Sequence, residues 1–217
     1  MACCCNENDA DIAALRRNQA RVLWAVLALN VVMFVGEFTA GWLAQSTALL
    51  ADSLDMLGDS LVYALSLFVI DRGGRAKAGA AGFKGSIMLA FGLIVAADVL
   101  YKAFHGAAPV SAIMAVAGTL ALIGNMTCLI LLTRHRGDDV NMGSAWICSR
   151  NDLIANSGVI LAAGLVALTQ SVWPDIIIGG VIAAVFLRSS IGVLADAFAH
   201  WRQAGDTRDV GRAPGPG

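Results

Sequence analysis

The chain has 217 residues, of which 58% are hydrophobic and only 14% charged, and its mean hydropathy is +0.70. Soluble domains carry about 25% charged residues, so a chain this apolar cannot hide its surface in water. A formal net charge of −1 supplies neither the basic field that nucleic acid requires nor an acidic field for basic partners.

Residues 1–21 read as a cytoplasmic N-terminal segment. They carry Cys3, Cys4 and Cys5, which together with Cys128 and Cys148 make an odd set without the spread spacing of a disulfide framework. Reduced thiols fit this pattern. The adjacent trio suits capture of soft metal ions, lipidation or incidental redox chemistry equally well. Six apolar stretches follow, at 22–43, 47–70, 81–104, 109–133, 144–169 and 173–198. Each is long enough at 1.5 Å per residue to cross a hydrocarbon core of about 30 Å. Their apolar runs are continuous rather than alternating, and a helix satisfies its own backbone in lipid, so helices are expected and barrel strands are not. Short breaks between them make successive helices antiparallel. Residues 199–217 read as a short cytoplasmic tail.

Arg16, Arg17, Arg21, Arg72, Arg75, Lys77, Lys84, Arg134, Arg136, Arg150, Arg202, Arg208 and Arg212 all fall on one side of this arrangement. Only Lys102 falls on the other, and Arg188 lies within reach of the basic side. The positive-inside rule then puts both termini in the cytoplasm. The fold expected is an all-α membrane protein of six transmembrane helices, multi-pass in a cell membrane of the bacterial inner type.

Ionisable residues inside a bilayer cost about 2.5–3.5 kcal/mol each on insertion scales and need a partner, a water cavity or a function. The first helix carries Asn30 and Glu37, seven apart; the second carries Asp52, Asp55 and Asp59; the fifth carries Cys148, Asp152 and Asn156 at intervals of four. Each set shares one helical face. Three stacked aspartates repel one another unless protons or a cation neutralise them. Asp55 and Asp59 facing Cys148 and Asp152 supply the four donors a tetrahedral zinc-like ion requires. Neutral carboxyls bonded between helices, or a metal-free proton path, are the competing explanations. Asp52 and Asn156 read as supporting the donors, and Glu37 and Asn30 as lining a pathway or bridging helices. Asp98, Asn125 and Asp196 are expected to make local hydrogen bonds, and Asp175 to serve the start of its own helix. Asp138 and Asp139, beside His135, form either a cation antechamber or a solvated acidic turn. Gly36, Gly41, Gly158 and Gly164 are expected at close helix contacts.

Asn30, Glu37, Gly41 and Ser46, followed by Ala51-Asp52-Ser53-Leu54-Asp55-Met56-Leu57-Gly58-Asp59, resemble the first two helices of the cation diffusion facilitator family. The resemblance extends over nearly the whole chain. It implies a transport site joining a His/Asp-x-x-x-Asp pair on the second helix, here Asp55 and Asp59, to a similar pair on the fifth. Cys148 stands where that second pair usually has histidine or aspartate, with Asp152 as its partner. Trp173-Pro174-Asp175 resembles the family's sixth-helix start. A metallochaperone-like cytoplasmic domain that most members carry after the sixth helix has no counterpart here, so a short form without metal sensing is expected.

The resemblance implies a transporter rather than an enzyme: secondary active efflux of divalent metal cations, zinc first and then cadmium, cobalt or iron, by proton antiport. The expected partners are the metal cation, the proton, the lipid bilayer and a second copy in a homodimer, with no organic cofactor and no nucleic acid. His105, His135 and His200 all sit at helix ends, which argues against intramembrane haem. The alternative is a membrane scaffold or proton-path subunit that moves no metal.

Overall fold

In the computed structural model the described backbone covers residues 4–69, 74–136 and 140–210, and the described side chains cover 20–61, 63–64, 79, 82–83, 85–136, 146–195 and 198. The described chain is helical: α1 (Cys4–Ala44), α2 (Thr47–Val69), α3 (Gly74–His105), α4 (Ser111–Thr133), α5 (Val140–Thr169) and α6 (Trp173–Val210). Asp138, Asp139 and Cys3, and the side chains of Cys4, Cys5 and Asp196, lie outside the described residues.

Among the described residues, five helices contain stretches long and apolar enough to cross a membrane: Ala20–Ala44, Gly85–His105, Ser111–Thr133, Trp146–Thr169 and Trp173–Ala195. α2 is as long as α4 but carries Asp52, Asp55 and Asp59 in its first half, which dilutes its apolar character. The helices also outrun the apolar stretches. α1 begins at Cys4 and α6 continues to Val210, because a helical backbone closes its own hydrogen bonds whether or not its side chains suit lipid.

α3 runs along α6, α4 along α5 and α1 along α2, while α2 also touches α3, α5 and α6 and so stands at the centre. Large apolar side chains point outward, among them Val32, Trp42, Phe104, Leu168 and Val185. Asn30, Glu37, Asp52, Asn125, Asp152 and Asn156 are buried. Polar inside and apolar outside is the arrangement a lipid solvent selects. Apolar packing closes the bundle at both ends. Ala44, Leu49, Met114, Val159 and Val166 meet where α5 finishes, and Val26, Leu27, Tyr63, Cys128 and Leu132 meet at the opposite end.

The α1–α2 corner is locked from a distance. Gln45 takes the left-handed conformation with φ 56°, and Ser46 N–H donates to Gly41 O at 2.9 Å, ending α1 in the wrapped carbonyl pattern that usually employs glycine. Asp175 then caps α2 rather than serving its own helix. Its carboxylate accepts from Thr47 N at 2.7 Å, Ala48 N at 3.1 Å and Ser46 Oγ at 2.5 Å. Asp98 is not bonded locally only, either. It pairs with Lys102 at 2.9 Å and accepts from Thr47 Oγ1 at 2.6 Å, while Lys102 Nζ donates to Gln45 O at 3.0 Å. Asn125 departs from the expectation as well, being fully buried with neither amide atom bonded.

The glycines divide. Gly41 is tightly packed, since a Cβ there would stand 3.1 Å from Leu49 and Leu50 on α2, whereas a Cβ on Gly158 would make ordinary contact with Ile178. Gly36 and Gly164 have nothing within 4 Å of a would-be Cβ and are not close-packing positions. One helix comes close to the backbone of another at Gly179, where a Cβ would stand 2.8 Å from both Ala48 N and Thr47 C. Only glycine lets α6 come near enough for Asp175 to cap α2. Gly179→Ala is therefore expected to lower stability by about 1–3 kcal/mol. Gly164→Ala should stay within roughly 0.5 kcal/mol of the parent. Thermal unfolding in detergent checks both, and equal midpoints for the two variants would contradict the assignment.

Candidate metal centre

The three aspartates of α2 fall on one face because their spacing of three and four follows the helical period. Cys148, Asp152 and Asn156 do the same on α5. Where these helices face each other a cavity of about 560 Å³ opens, bounded also by Met88 of α3 and Val185 and Phe186 of α6. Asp55, Asp59, Cys148 and Asp152 all line it, as does Asn151. The four donors singled out in the sequence thus share one chamber. Among the described residues no three His, Cys, Asp or Glu side chains close into a single cage. The donors stand around the wall with Asp55 and Cys148 half-buried and Asp59 and Asp152 buried.

Asp52 and Asn156, 1% and 0% exposed, are buried away from the chamber lining. Asn156 Nδ2 donates to Asp152 O at 2.8 Å, tying the turn that carries the ligand. Asn30 and Glu37 on α1 lie off the chamber too. Asn30 Nδ2 donates to Val26 O at 2.9 Å and approaches Cys128 Sγ at 3.7 Å, so it bridges α1 to α4. Glu37 is the neighbour of Asp52 across the α1–α2 contact.

Three further buried polar residues were not assigned to the site from the sequence. Tyr63 Oη donates to Asp59 Oδ2 at 3.1 Å and thereby orients one chamber carboxylate. The signal was present, since Tyr63 is four residues after Asp59 and on the same face. Ser149 and Asn125 are buried with unpaired polar atoms, and as single polar residues in apolar helices they carry no periodic signature. Asp52 Oδ2, Asp152 Oδ2 and Asn156 Oδ1 are likewise buried without hydrogen-bond partners. Each such atom costs about 1–3 kcal/mol unless something satisfies it. Such atoms are spread over α1, α2, α4 and α5.

A family model, the cation efflux transmembrane domain, matches residues 23–200. Among curated proteins, the chain is 26% identical over 197 residues to the zinc transporter ZitB of Yersinia pestis, covering 83% of this chain and 62% of that protein. It is 25% identical over 213 residues to the zinc transporter ttm-1 of Caenorhabditis elegans, covering 84% of this chain and 52% of that protein. It is 28% identical over 199 residues to the metal cation efflux system protein CzcD of Cupriavidus metallidurans, covering 81% of this chain and 62% of that protein. The chain thus spans between half and two thirds of the length of these relatives. With a family model matched across most of its length and five apolar helices of spanning length, this multi-pass membrane protein belongs to the cation efflux, or cation diffusion facilitator, family.

Proposed function

We propose that the chain is a secondary active transporter, not an enzyme, which exports divalent metal cations from the cytoplasm in exchange for protons. The observation that carries this reading is that Asp55, Asp59, Cys148 and Asp152, from two facing helices, line one chamber inside the bundle. Three carboxylates and a thiol are donors for a zinc-like ion, and each must shed a proton to bind it. Metal and proton therefore exclude one another at these four donors. The names of two relatives bring zinc forward as substrate; cadmium, cobalt and iron stand behind it on the donor chemistry alone. No organic cofactor is needed for this chemistry.

In this reading α2 is the sixth membrane span, its aspartates shielded by the five helices around it, and both termini are cytoplasmic. Arg21, Arg134, Arg136 and Arg150 lie near the ends of the apolar stretches on one side of an antiparallel bundle, and Lys102 lies near the other. Arg136 and Arg150 both stack on Trp146, at 5.4 and 5.6 Å, as an interfacial anchor would. The protein works as a homodimer in the bilayer. Asp52 and Asn156 support the ligands from behind, and Asn30 steadies the α1 side.

Asp52→Asn is expected to weaken zinc affinity by about ten- to a hundredfold, the loss typical of a group that backs a ligand. A loss as severe as that of Asp55→Ala, measured by zinc titration of the purified protein, would instead make Asp52 a ligand. The function itself is tested in cells sensitised to zinc by loss of their own exporters. Expression of this chain should lower cellular zinc and restore growth on zinc. Unchanged zinc content at confirmed membrane expression would contradict export.

A further inference from the structure

Glu37 is 3% exposed, and among the described residues no N–H or O–H donates to either of its carboxylate oxygens. The polar group beside it is another carboxyl, that of Asp52, which is 1% exposed and has one oxygen without a partner. Two apposed carboxyls can hydrogen-bond only if a proton lies between them. The buried lysine of the bundle, Lys102, is engaged at the far corner with Asp98, Gln45 and Thr47. Two bare carboxylates side by side in a water-poor interior repel each other and cannot both stay ionised.

The titratable groups facing Glu37 are few. α2 supplies Asp52, and α5 supplies Asp152, which acts on Glu37 by charge. α4 contributes small and apolar residues, Ala117, Leu120 and Ala121, to a groove of about 580 Å³ that has Glu37 on its wall. Neither Glu37 nor Asp52 lines the metal chamber.

We propose that Glu37 and Asp52 form a proton-binding pair, separate from the metal chamber, that carries the counter-transported proton. The inference rests on the transporter reading above and adds to it a second site with its own ligand. Asp152 connects the two sites, since it lines the chamber and faces both Glu37 and Asp52 by charge, and Asp55, which also lines the chamber, faces Asp52 in the same way. A divalent cation on Asp152 cancels its negative charge, eases ionisation of the pair and releases the proton. Departure of the cation restores the repulsion, and the pair takes a proton up again. Occupancy by metal and by proton then alternates even though the two do not share atoms.

The first test is labelling of the wild-type protein with dicyclohexylcarbodiimide, an apolar reagent that adds to protonated carboxyls and can enter the α1–α4 groove. Adduct at Glu37 or Asp52 is expected near pH 6, falling at least threefold by pH 9 and again on saturation with zinc. No adduct on either residue at any pH would overturn the proposal. The second test uses Glu37→Gln and Glu37→Asp in reconstituted vesicles. Glu37→Gln should keep exchange of zinc for labelled zinc at equal pH within about threefold, but lose the acceleration of zinc uptake by a pH gradient at least tenfold. Glu37→Asp should retain that acceleration. A Glu37→Gln protein still driven by the pH gradient, or one that has also lost zinc–zinc exchange, contradicts a separate proton site. Absence of zinc flux in the wild type would instead defeat the transporter reading, and the labelling result would still decide whether the pair holds a proton.

Discussion

Asp55→Ala and Asp152→Ala are each expected to abolish metal transport while leaving an inserted, folded protein. Each removes a charged donor that the ion cannot replace with water once the bundle closes around it. Loss of one charged partner from a buried ionic arrangement is worth about 3–5 kcal/mol, or roughly 10²–10³ in affinity. The fold should survive for the opposite reason. Asp55, Asp59 and Asp152 lie on one chamber wall, so deleting one relieves repulsion among like charges. Helix packing is also untouched, since the apolar clusters that close the bundle ends contain neither residue. Zinc uptake into vesicles, alongside size-exclusion profiles of the detergent-solubilised variants, checks both halves of the expectation. Transport near the parent rate in both variants would remove these residues from the site.

Cys148 should set the metal preference. Thiolate is soft, so a chamber with Cys148 beside Asp55, Asp59 and Asp152 favours zinc or cadmium over manganese or magnesium, which prefer oxygen alone. Cys148→Asp should shift preference toward the harder ions by about tenfold or more in the cadmium-to-manganese ratio. Cys148→His should keep zinc transport and weaken cadmium relative to zinc, because imidazole is less soft than thiolate. Cys148→Ser, nearly the same size, separates ligation from packing. If the thiol only fills space, serine leaves the metal ratios as they were. Uptake of zinc, cadmium and manganese by the three variants at fixed pH provides the comparison. Unaltered ratios in all three would leave the α5 contribution to Asp152.

Five of the helices could be read from hydropathy because each holds a long apolar run, and the turns at Ala44–Thr47 and Thr169–Trp173 fell where the apolar runs broke. The helix ends could not. The residues beyond the apolar stretches of α1 and α6 are polar, and helix formation outside the membrane leaves no hydropathy signal. Asp55, Asp59, Cys148 and Asp152 could be grouped from the sequence because residues that share a helix face repeat every three or four positions. Asp175 and Gly179 could not be placed in this way, because the groups they meet, the backbone of Thr47 and Ala48, lie about 130 residues away in sequence. A carboxylate after a proline at a helix start looks the same whether it caps its own helix or a neighbour's. Gly36 and Gly164 show the converse. Small residues permit close packing but do not require it, and these two face open space.

The central claim is that a divalent cation moves through the Asp55–Asp59–Cys148–Asp152 chamber against protons, and one measurement bears on it most directly. Purified protein would be reconstituted into vesicles with an acidic interior, zinc added outside, and internal zinc and internal pH followed together with two indicators. Zinc entry accompanied by alkalinisation of the lumen, both lost in Asp152→Ala, is the predicted result. Zinc entry without any change in luminal pH would contradict the exchange, and no zinc entry above that of empty vesicles would contradict transport itself.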